Sequence, residues 1–491
     1  MFPRLLCDLW KNLRMPYNPV TPAILQALRA IVGAEHLIFG EPERMDDYAH
    51  DETVGNAGAR HLPEVVVRPG SAGEISAILR LANRERVPVT PRGAGSGMSG
   101  GAVPVYGGIL LSTERLNRIL EIDLANLVAV VEPGAITNEI GERARAEGLF
   151  YAGYPMSVEM CSIGGNVAEN AGGGRAIKYG TTGRYVLGLQ AVLPTGEIVE
   201  LGGKRLKDVA GYDLVHLLVG SEGTLCVFTR IILRLLPMPA VRVAILVPFG
   251  DVRAAIEAVP RVIREGRLVP SAIEFMDDVA VRRAYEYAGE HLPLPGIGAM
   301  LLFEVDGSGE AEAENQYNTL IDLCLRAGAL DAYVANTPSS FKKMWRLRER
   351  LSEGLTAAYP VQAAEDIVVP PARIPDLLAQ MDDYRVAHQV EVVAFGHAGD
   401  GNLHLRIVKG AGMALADWQA GAVGRAQDLY RRVAQLGGTI SAEHGIGSKL
   451  VAYLPLVQDA AQVALQKRIK QAFDPLGILN PGKIFWPDAE V

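Results

Sequence analysis

Hydrophobic positions along this chain recur in two rhythms, and each predicts its own elements. Near the start, AILQALRAIV carries apolar residues at helical spacing, with Thr21 as cap, Pro22 in the first turn and Gly33 as the stop. From His61 onward, strand-like apolar runs alternate with helical pattern. Strands are expected at residues 64–67, 87–90, 109–112 and 127–131, and helices at 71–85 and 137–147. In the first of those helices Ile75, Ile78, Leu79 and Leu81 face inward. Such short alternating elements predict an α+β fold whose strands need not all be parallel. The runs VLGLQAVLPTG and GEIVEL meet at a Pro194–Glu197 turn, and a proline pair, Pro237 and Pro239, marks a domain boundary. Residues 240–390 repeat a strand–helix rhythm that predicts an open sheet with helices on one face. Within it Trp345-Arg346-Leu347-Arg348-Glu349-Arg350 concentrates four charges at the start of a helix and reads as a solvated face. Runs at 390–395 and 403–408 flank Ala398-Gly399-Asp400-Gly401-Asn402, which is hairpin chemistry.

Two glycine concentrations interrupt this pattern. The first, VPVTPRGAGSGMSGGAVP over residues 87–104, joins one strand to the next. Its glycines let backbone N–H groups close on an anion, and Arg92 at the mouth adds a cationic fork suited to phosphate. Gly95-Ser96-Gly97-Met98-Ser99-Gly100 matches G-x-G-x-x-G, but a dinucleotide-binding helix should follow directly. Pro104 and a second strand follow instead. A flexible surface loop is the plainer alternative, and a diphosphate cradle between two strands is the preferred one. The second concentration spans 160–184, with Gly164-Gly165, Gly172-Gly173-Gly174, Asn166 and Asn170. Irregular stretches this long in compact domains are usually functional.

Composition narrows the classes. At 491 residues the chain needs two or three domains, and 49% apolar with 21% charged residues describes an ordinary globular protein. A net charge of −8 without any Lys/Arg run argues against nucleic acid. No apolar stretch is long enough to cross a bilayer. The first residues hold Asp8, Lys11 and Arg14, so no secretory signal is read there; a weak amphipathic helix and a true start at Met15 both stand. Four scattered cysteines lack any C-x-x-C, which suits a cytoplasmic location and leaves no iron–sulfur motif.

The candidate chemistry lies late in the chain. His397 and His404 face each other across the hairpin mouth, and Ser441-Ala442-Glu443-His444-Gly445 places a carboxylate and an imidazole on a glycine-flanked turn. Two histidines and a glutamate suit a divalent metal of the zinc or manganese class with open positions, leaving His444 as a base.

Four stretches together, PRGAGSGMSGG, SIGGNVAENAGG, GSEGTL and GHAGDGNLH…SAEHGIG…NPGKI, resemble flavoproteins of the vanillyl-alcohol-oxidase fold. The resemblance is to the branch of FAD-linked D-2-hydroxyacid dehydrogenases, which holds glycolate oxidase D subunits, D-lactate dehydrogenases and D-2-hydroxyglutarate dehydrogenases. It implies an N-terminal helical segment (1–57), a two-subdomain FAD-binding domain (58–239), an α+β cap domain with an antiparallel sheet (240–435) and a segment returning to the FAD (436–491). It places Pro91, Arg92, Gly93, Ala94, Gly95, Ser96, Gly97, Pro155, Ser162, Gly164, Gly165, Asn170, Gly172, Glu222 and Asn480 along the cofactor. No histidine lies in residues 87–104, so noncovalent FAD is expected. The resemblance maps metal ligands onto His397, His404 and Glu443, the base onto His444 and the substrate-carboxylate cation onto Arg348. It implies hydride transfer from the hydroxyacid carbon to flavin N5. Electrons would then pass to a separate iron–sulfur subunit, electron-transfer flavoprotein or quinone, with membrane association through that partner and a homodimer both compatible. An electron-relay subunit, or an oxidase of another alcohol, are the rival readings.

The chain also departs from the pattern. The segment where relatives with a second substrate carboxylate carry Lys reads Gln362-Ala363-Ala364-Glu365-Asp366, and Arg406 stands where 2-hydroxyglutarate enzymes carry Asn. Arg406 either meets a distal substrate group or pairs with Glu391 across the hairpin.

Overall fold

The computed structural model describes residues 17–53, 60–290 and 295–487; the expectations for the first residues, including Met15, lie outside these. The chain forms two compact units. One comprises Met1–Ala171, Thr181–Pro237 and Glu443–Val491, and the other Gly172–Gly180 and Met238–Ala442.

The first unit holds two main sheets. In the four-stranded one, β1 (Leu37–Ile38) pairs antiparallel with β2 (Val65–Val67), and β2 and β3 (Val89–Arg92) flank β4 (Ile109–Ser112) in parallel. Parallel strands need crossover connections, and the helix Ala72–Glu85 supplies the one between β2 and β3. Ser71 caps it by accepting from the Glu74 N–H. The helix Pro22–Val32 is capped likewise by Thr21 and stops at Gly33. Its Leu28 shares one core with Ile75, Ile78 and Leu79, with strands β2 to β4 and with Ile478 and Leu479. The N-terminal helix is therefore built into this unit. Pro91 sits within β3, at the sheet's end, where a missing N–H costs no ladder bond to a further strand.

The second sheet is antiparallel throughout. It runs β5 (Ile119–Asp123), β6 (Val128–Val131), β10 (Val227–Arg234), β8 (Val186–Val192) and β9 (Ile198–Gly202). Two short strands, β7 (Leu149–Phe150) and β11 (Leu236–Pro237), pair separately. The second glycine concentration is not one loop, because Ile163–Glu169 forms a helix. Its Gly164 N–H donates to the Pro133 carbonyl at 2.7 Å, and Asn166 donates to Thr137 Oγ1 at 2.8 Å. Tertiary anchors override the poor helix propensity of Gly-Gly-Asn.

The second unit is one seven-stranded antiparallel sheet. Its strands are β12 (Val241–Phe249), β13 (Ala272–Asp277), β14 (Ala299–Gly307), β15 (Tyr333–Ala335), β16 (Gln362–Val368), β17 (Val390–His397) and β18 (Asn402–Lys409), in the order β15-β12-β14-β13-β17-β18-β16. Strand alternation gives the two faces opposite characters. One carries Ile245, Leu301, Phe303, Ile273, Phe275, Leu403 and Leu405 in register, a buried apolar layer. The other carries Arg242, Asp306, Glu304, Glu274, His397, Asn402, His404, Asp366 and Arg406.

The charged Trp345–Arg350 stretch corrects its sequence reading. It ends a helix, Pro338–Glu349, which starts at a Thr337/Ser340 capping box with Pro338 in the first turn. Trp345 and Arg348 are buried, while Arg346, Glu349 and Arg350 are exposed, so of the four charges only Arg348 leaves the solvated face. The predicted hairpin forms, with a turn at residues 398–401 between β17 and β18. Gly401 takes φ +93°, and a Cβ there would run into the Val369 carbonyl. Gly401→Ala should therefore destabilise the second unit by about 1–3 kcal/mol, read as a lower Tm with an unchanged helix and strand signal. An unaltered melt would refute the turn's dependence on this backbone.

Candidate functional site

In the second unit, the sheet's polar face is the candidate site, and Glu274 is its pivot. Glu274 on β13 is fully buried. It accepts from Arg348 Nε at 2.6 Å and meets His397 Nδ1 at 2.6 Å. Burial disfavours its carboxylate, but Arg348 and His397 outweigh that and hold it down at about 2. With Nδ1 engaged, His397 presents Nε2 to the face of the sheet. The His404 ring stands edge-on to it, 5.4 Å away between centroids. Asp366, directly opposite His404 across β16 and β18, accepts from Asn402 Nδ2 at 2.8 Å and from the Ala442 N–H at 3.0 Å. His404 Nδ1 lies 3.7 Å from the same carboxylate. Arg348 also lies over the Phe395 ring, 5.2 Å from its centre.

The residues 172–180 close over this face. A Cβ on Gly174 would meet Glu274 Oε1 at 2.5 Å, so only glycine lets the backbone lie against the pivot. Arg175 then makes a two-point contact with Glu304 at 3.1 Å, joined by Arg242 at 3.0 and 3.1 Å. Lys178 pairs with Asp306, whose other oxygen accepts from the Tyr179 hydroxyl at 2.6 Å. Gly172 therefore belongs to the second unit.

In the first unit the glycine loop leads directly into structure that a Cβ would disrupt. Gly95, at φ +76°, lies against the Arg92 guanidinium, where any side chain would collide. That guanidinium is not an anion fork at the loop's mouth: Arg92 Nη1 donates to the His50 carbonyl at 2.7 Å and Nη2 to Asp47 at 2.9 Å. The cation braces residues 47–50 because their carbonyls, invisible to local sequence reading, surround it. Asp51 follows them, accepting from the Gly100 N–H at 2.7 Å. Ser162 Oγ accepts from Ala94 at 3.2 Å, bringing the two glycine segments together, with Gly165 beside it. Gly93 packs on that same hydroxyl. Ser96 and Gly97 are partly buried, and Gly97 accepts from the Glu52 N–H at 2.9 Å. Pro155 is half-buried in the stretch after β7. Asn170 is exposed and its Oδ1 accepts from the Gly183 N–H at 2.9 Å, so its amide oxygen is spent on closing its own loop.

Asn480 Nδ2 donates to the Gly101 carbonyl at 3.0 Å and to the Glu222 carbonyl at 2.8 Å. Glu222 Oε1 and Oε2 accept from Ile446 at 2.8 Å and Gly447 at 2.6 Å. The turn carrying Glu443 and His444 is thereby fixed, with Glu443 Oε1 3.7 Å from His444 Nε2. Around this loop Ser99 Oγ, Ser221 Oγ and Asn480 Oδ1 are buried with no hydrogen-bond partner among the described residues. Orphaned polar atoms beside a collision-limited backbone fit a polar ligand laid along it.

Sequence reasoning missed Glu274, Asp366, Asp51 and Glu304. Their roles come from partners far along the chain, and no local motif marks them.

Comparisons with known proteins give the family and the fold. The model for FAD linked oxidases, C-terminal domain, matches residues 238–484, and an FAD binding domain matches residues 63–202. The chain is 36% identical to a D-lactate dehydrogenase of Anaerostipes hadrus, over 95% of this chain and 98% of the relative. It is 36% identical to the glycolate oxidase subunit GlcD of Bacillus subtilis, covering 91% and 95%. It is 34% identical to a D-2-hydroxyglutarate dehydrogenase of Xanthomonas citri pv. viticola, covering 94% and 97%. Among solved structures, 4-ethylphenol oxidase from Gulosibacter chungangensis superposes with a TM-score of 0.75 at 21% identity, covering 94% and 97%. p-Cresol methylhydroxylase gives 0.76 at 17%, covering 94% and 96%. These establish the vanillyl-alcohol-oxidase type of fold expected from the sequence.

Glu304 yields a pH prediction. Burial opposes its charge, but Arg175 and Arg242 outweigh this and hold it at about 2, below the ordinary 4.5. Its ionised form therefore stabilises the fold fully above pH about 4.5, and that contribution fades as pH falls towards 2. Glu304→Gln should lower the Tm at neutral pH, and the gap to wild type should narrow across that window. A gap constant from pH 7 to 3 would contradict the assignment.

Proposed function

The chain belongs to the FAD-linked oxidases, and on that premise we propose that it oxidises a D-2-hydroxyacid of the glycolate, D-lactate or D-2-hydroxyglutarate kind to the 2-oxoacid. The observation that carries this reading is Glu274, a single buried carboxylate that orients both His397 and Arg348 on one sheet face. Such carboxylate–histidine pairs are typical behind metal ligands, where they fix the tautomer and strengthen the donor. The names of the relatives supply the substrate class.

In this reading Arg348 holds the substrate carboxylate with the part of its fork not bound to Glu274. His397 and His404, with Glu443 proposed from its motif, would hold a divalent metal. Their nitrogen and oxygen donors suit zinc or manganese. That metal would supply Lewis acidity at the hydroxyl. His444 takes the hydroxyl proton, and the Glu222 contacts to Ile446 and Gly447 keep its turn in place. FAD, when bound noncovalently along residues 93–101 with Ser162 and Asn480, supplies the two-electron acceptor. Ser99, Ser221 and Asn480 would each gain a polar partner from it. Reoxidation would fall to a separate protein or quinone, and the relatives named as glycolate oxidase subunits support a protein partner. Among the described residues no helix is long and apolar enough to cross a membrane.

A panel of D- and L-2-hydroxyacids with an artificial dye tests the reading: D-isomers should reduce the dye and L-isomers should not. No reduction by any member would overturn it. Chelation followed by dialysis should abolish turnover while the flavin spectrum persists; full activity in metal-free protein would remove the metal from the proposal. Gly95→Val should lose flavin yet stay folded, and acid precipitation of wild type should leave flavin in the supernatant. Flavin retained in the pellet would refute noncovalent attachment.

A further inference from the structure

Most cations on the polar face of the second unit's sheet meet a carboxylate. Arg175 and Arg242 share Glu304, Lys178 takes Asp306, and Arg348 takes Glu274. Arg406 does not. Its residue is 4% exposed, and its Nη2 donates only to the Ser352 hydroxyl. Nε and Nη1 are buried with no hydrogen-bond partner among the described residues. Its cross-strand neighbours are Val393 and Ala364, neither of which can answer a charge. Glu391, the partner considered from sequence, is exposed and pairs across the hairpin with Val408 instead. Glu365 belongs to the opposite face by alternation, and its Oε2 accepts from Tyr430 at 2.6 Å. Burial pushes the guanidinium pKa down to about 10, with Glu365 opposing that only in part.

A buried cation without a counter-ion is costly, and unsatisfied N–H groups add to the cost. A ligand anion in that place relieves both. Arg406 lies two residues beyond His404 on β18, so it points to the same face, about 6.6 Å further along the strand. That distance suits the far carboxylate of a four- or five-carbon chain whose hydroxyl end sits at the histidines. The residue opposite is Ala364, whose side chain is a single methyl.

We propose that Arg406 binds a second, distal carboxylate, and that the favoured substrate is a 2-hydroxy dicarboxylate. This rests on the 2-hydroxyacid reading above.

The test compares D-lactate, D-malate and D-2-hydroxyglutarate as dye-linked substrates for the flavin-loaded wild type and for R406M and R406K. A dicarboxylate should give the highest kcat/KM in wild type. The ratio of dicarboxylate to D-lactate kcat/KM should fall about ten- to hundredfold in R406M, as expected for a lost charged hydrogen bond, and recover in part in R406K. Ligand-free R406M should melt at or above the wild-type temperature, because it removes an unpaired buried charge. 2-Oxoglutarate should raise the melting temperature of wild type and not of R406M. A wild type that prefers D-lactate, or a ratio unchanged in R406M, would overturn the proposal. A lower ligand-free Tm in R406M with that unchanged ratio would mark Arg406 as structural. Failure of all three acids to reduce the flavin would instead strike the hydroxyacid reading itself. If R406M does not fold, R406K and the 2-oxoglutarate shift still decide the case.

Discussion

The second unit depends on matching charge on a sheet face that is buried. Glu304 and Glu274 are inaccessible to water and lie on adjacent strands, where an unpaired carboxylate would be expensive. Each is answered by two cationic or ionisable groups drawn from different elements. The pairing binds the 172–180 segment and the helix Pro338–Glu349 to one sheet face and fixes the His397 ring of β17 on it. An apolar face of similar area would hold these pieces as firmly, but it could not orient an imidazole or a guanidinium.

The first unit solves a different problem, that of keeping a glycine-rich backbone rigid without side chains of its own. Outside residues do the holding: Asp51 at Gly100, Ser162 at Ala94, Asn480 at Gly101, and the Arg92 side chain folded back on residues 47–50. Preorganised backbone donors lose little on binding an anionic ligand, which is the value of immobilising them beforehand.

Much of this was legible in the chain because it is local. Thr21 and Ser71 mark helix starts by side-chain capping, and the Gly-Asp-Gly turn sets the hairpin that brings two histidines to one face. The four motifs, taken together, fix the family and the fold. What was not legible depends on residues distant in sequence. Glu274 reaches His397 across 123 positions, and Arg175 reaches Glu304 across 129. The same remoteness made Arg92 look like an open cation and Arg348 like part of a wet surface. For Arg406 the local pattern fixed the face but not the surroundings, and only burial separates its two readings.

The polypeptide passes between the two units four times, at residues 171/172, 180/181, 237/238 and 442/443. The first unit therefore cannot be finished when its N-terminal part emerges from the ribosome. Asn480 bonds back to Gly101 across 379 positions, and Lys483 to Val103 across 380. At ordinary translation speeds the glycine loop waits on the order of tens of seconds for those partners. For that interval the nascent chain carries a nearly complete strand set whose Val89 edge still lacks its bond to Ile478. Truncation before Ile478 would leave that state permanent, so residues 478–483 act as the closing step in building the first unit and its glycine loop.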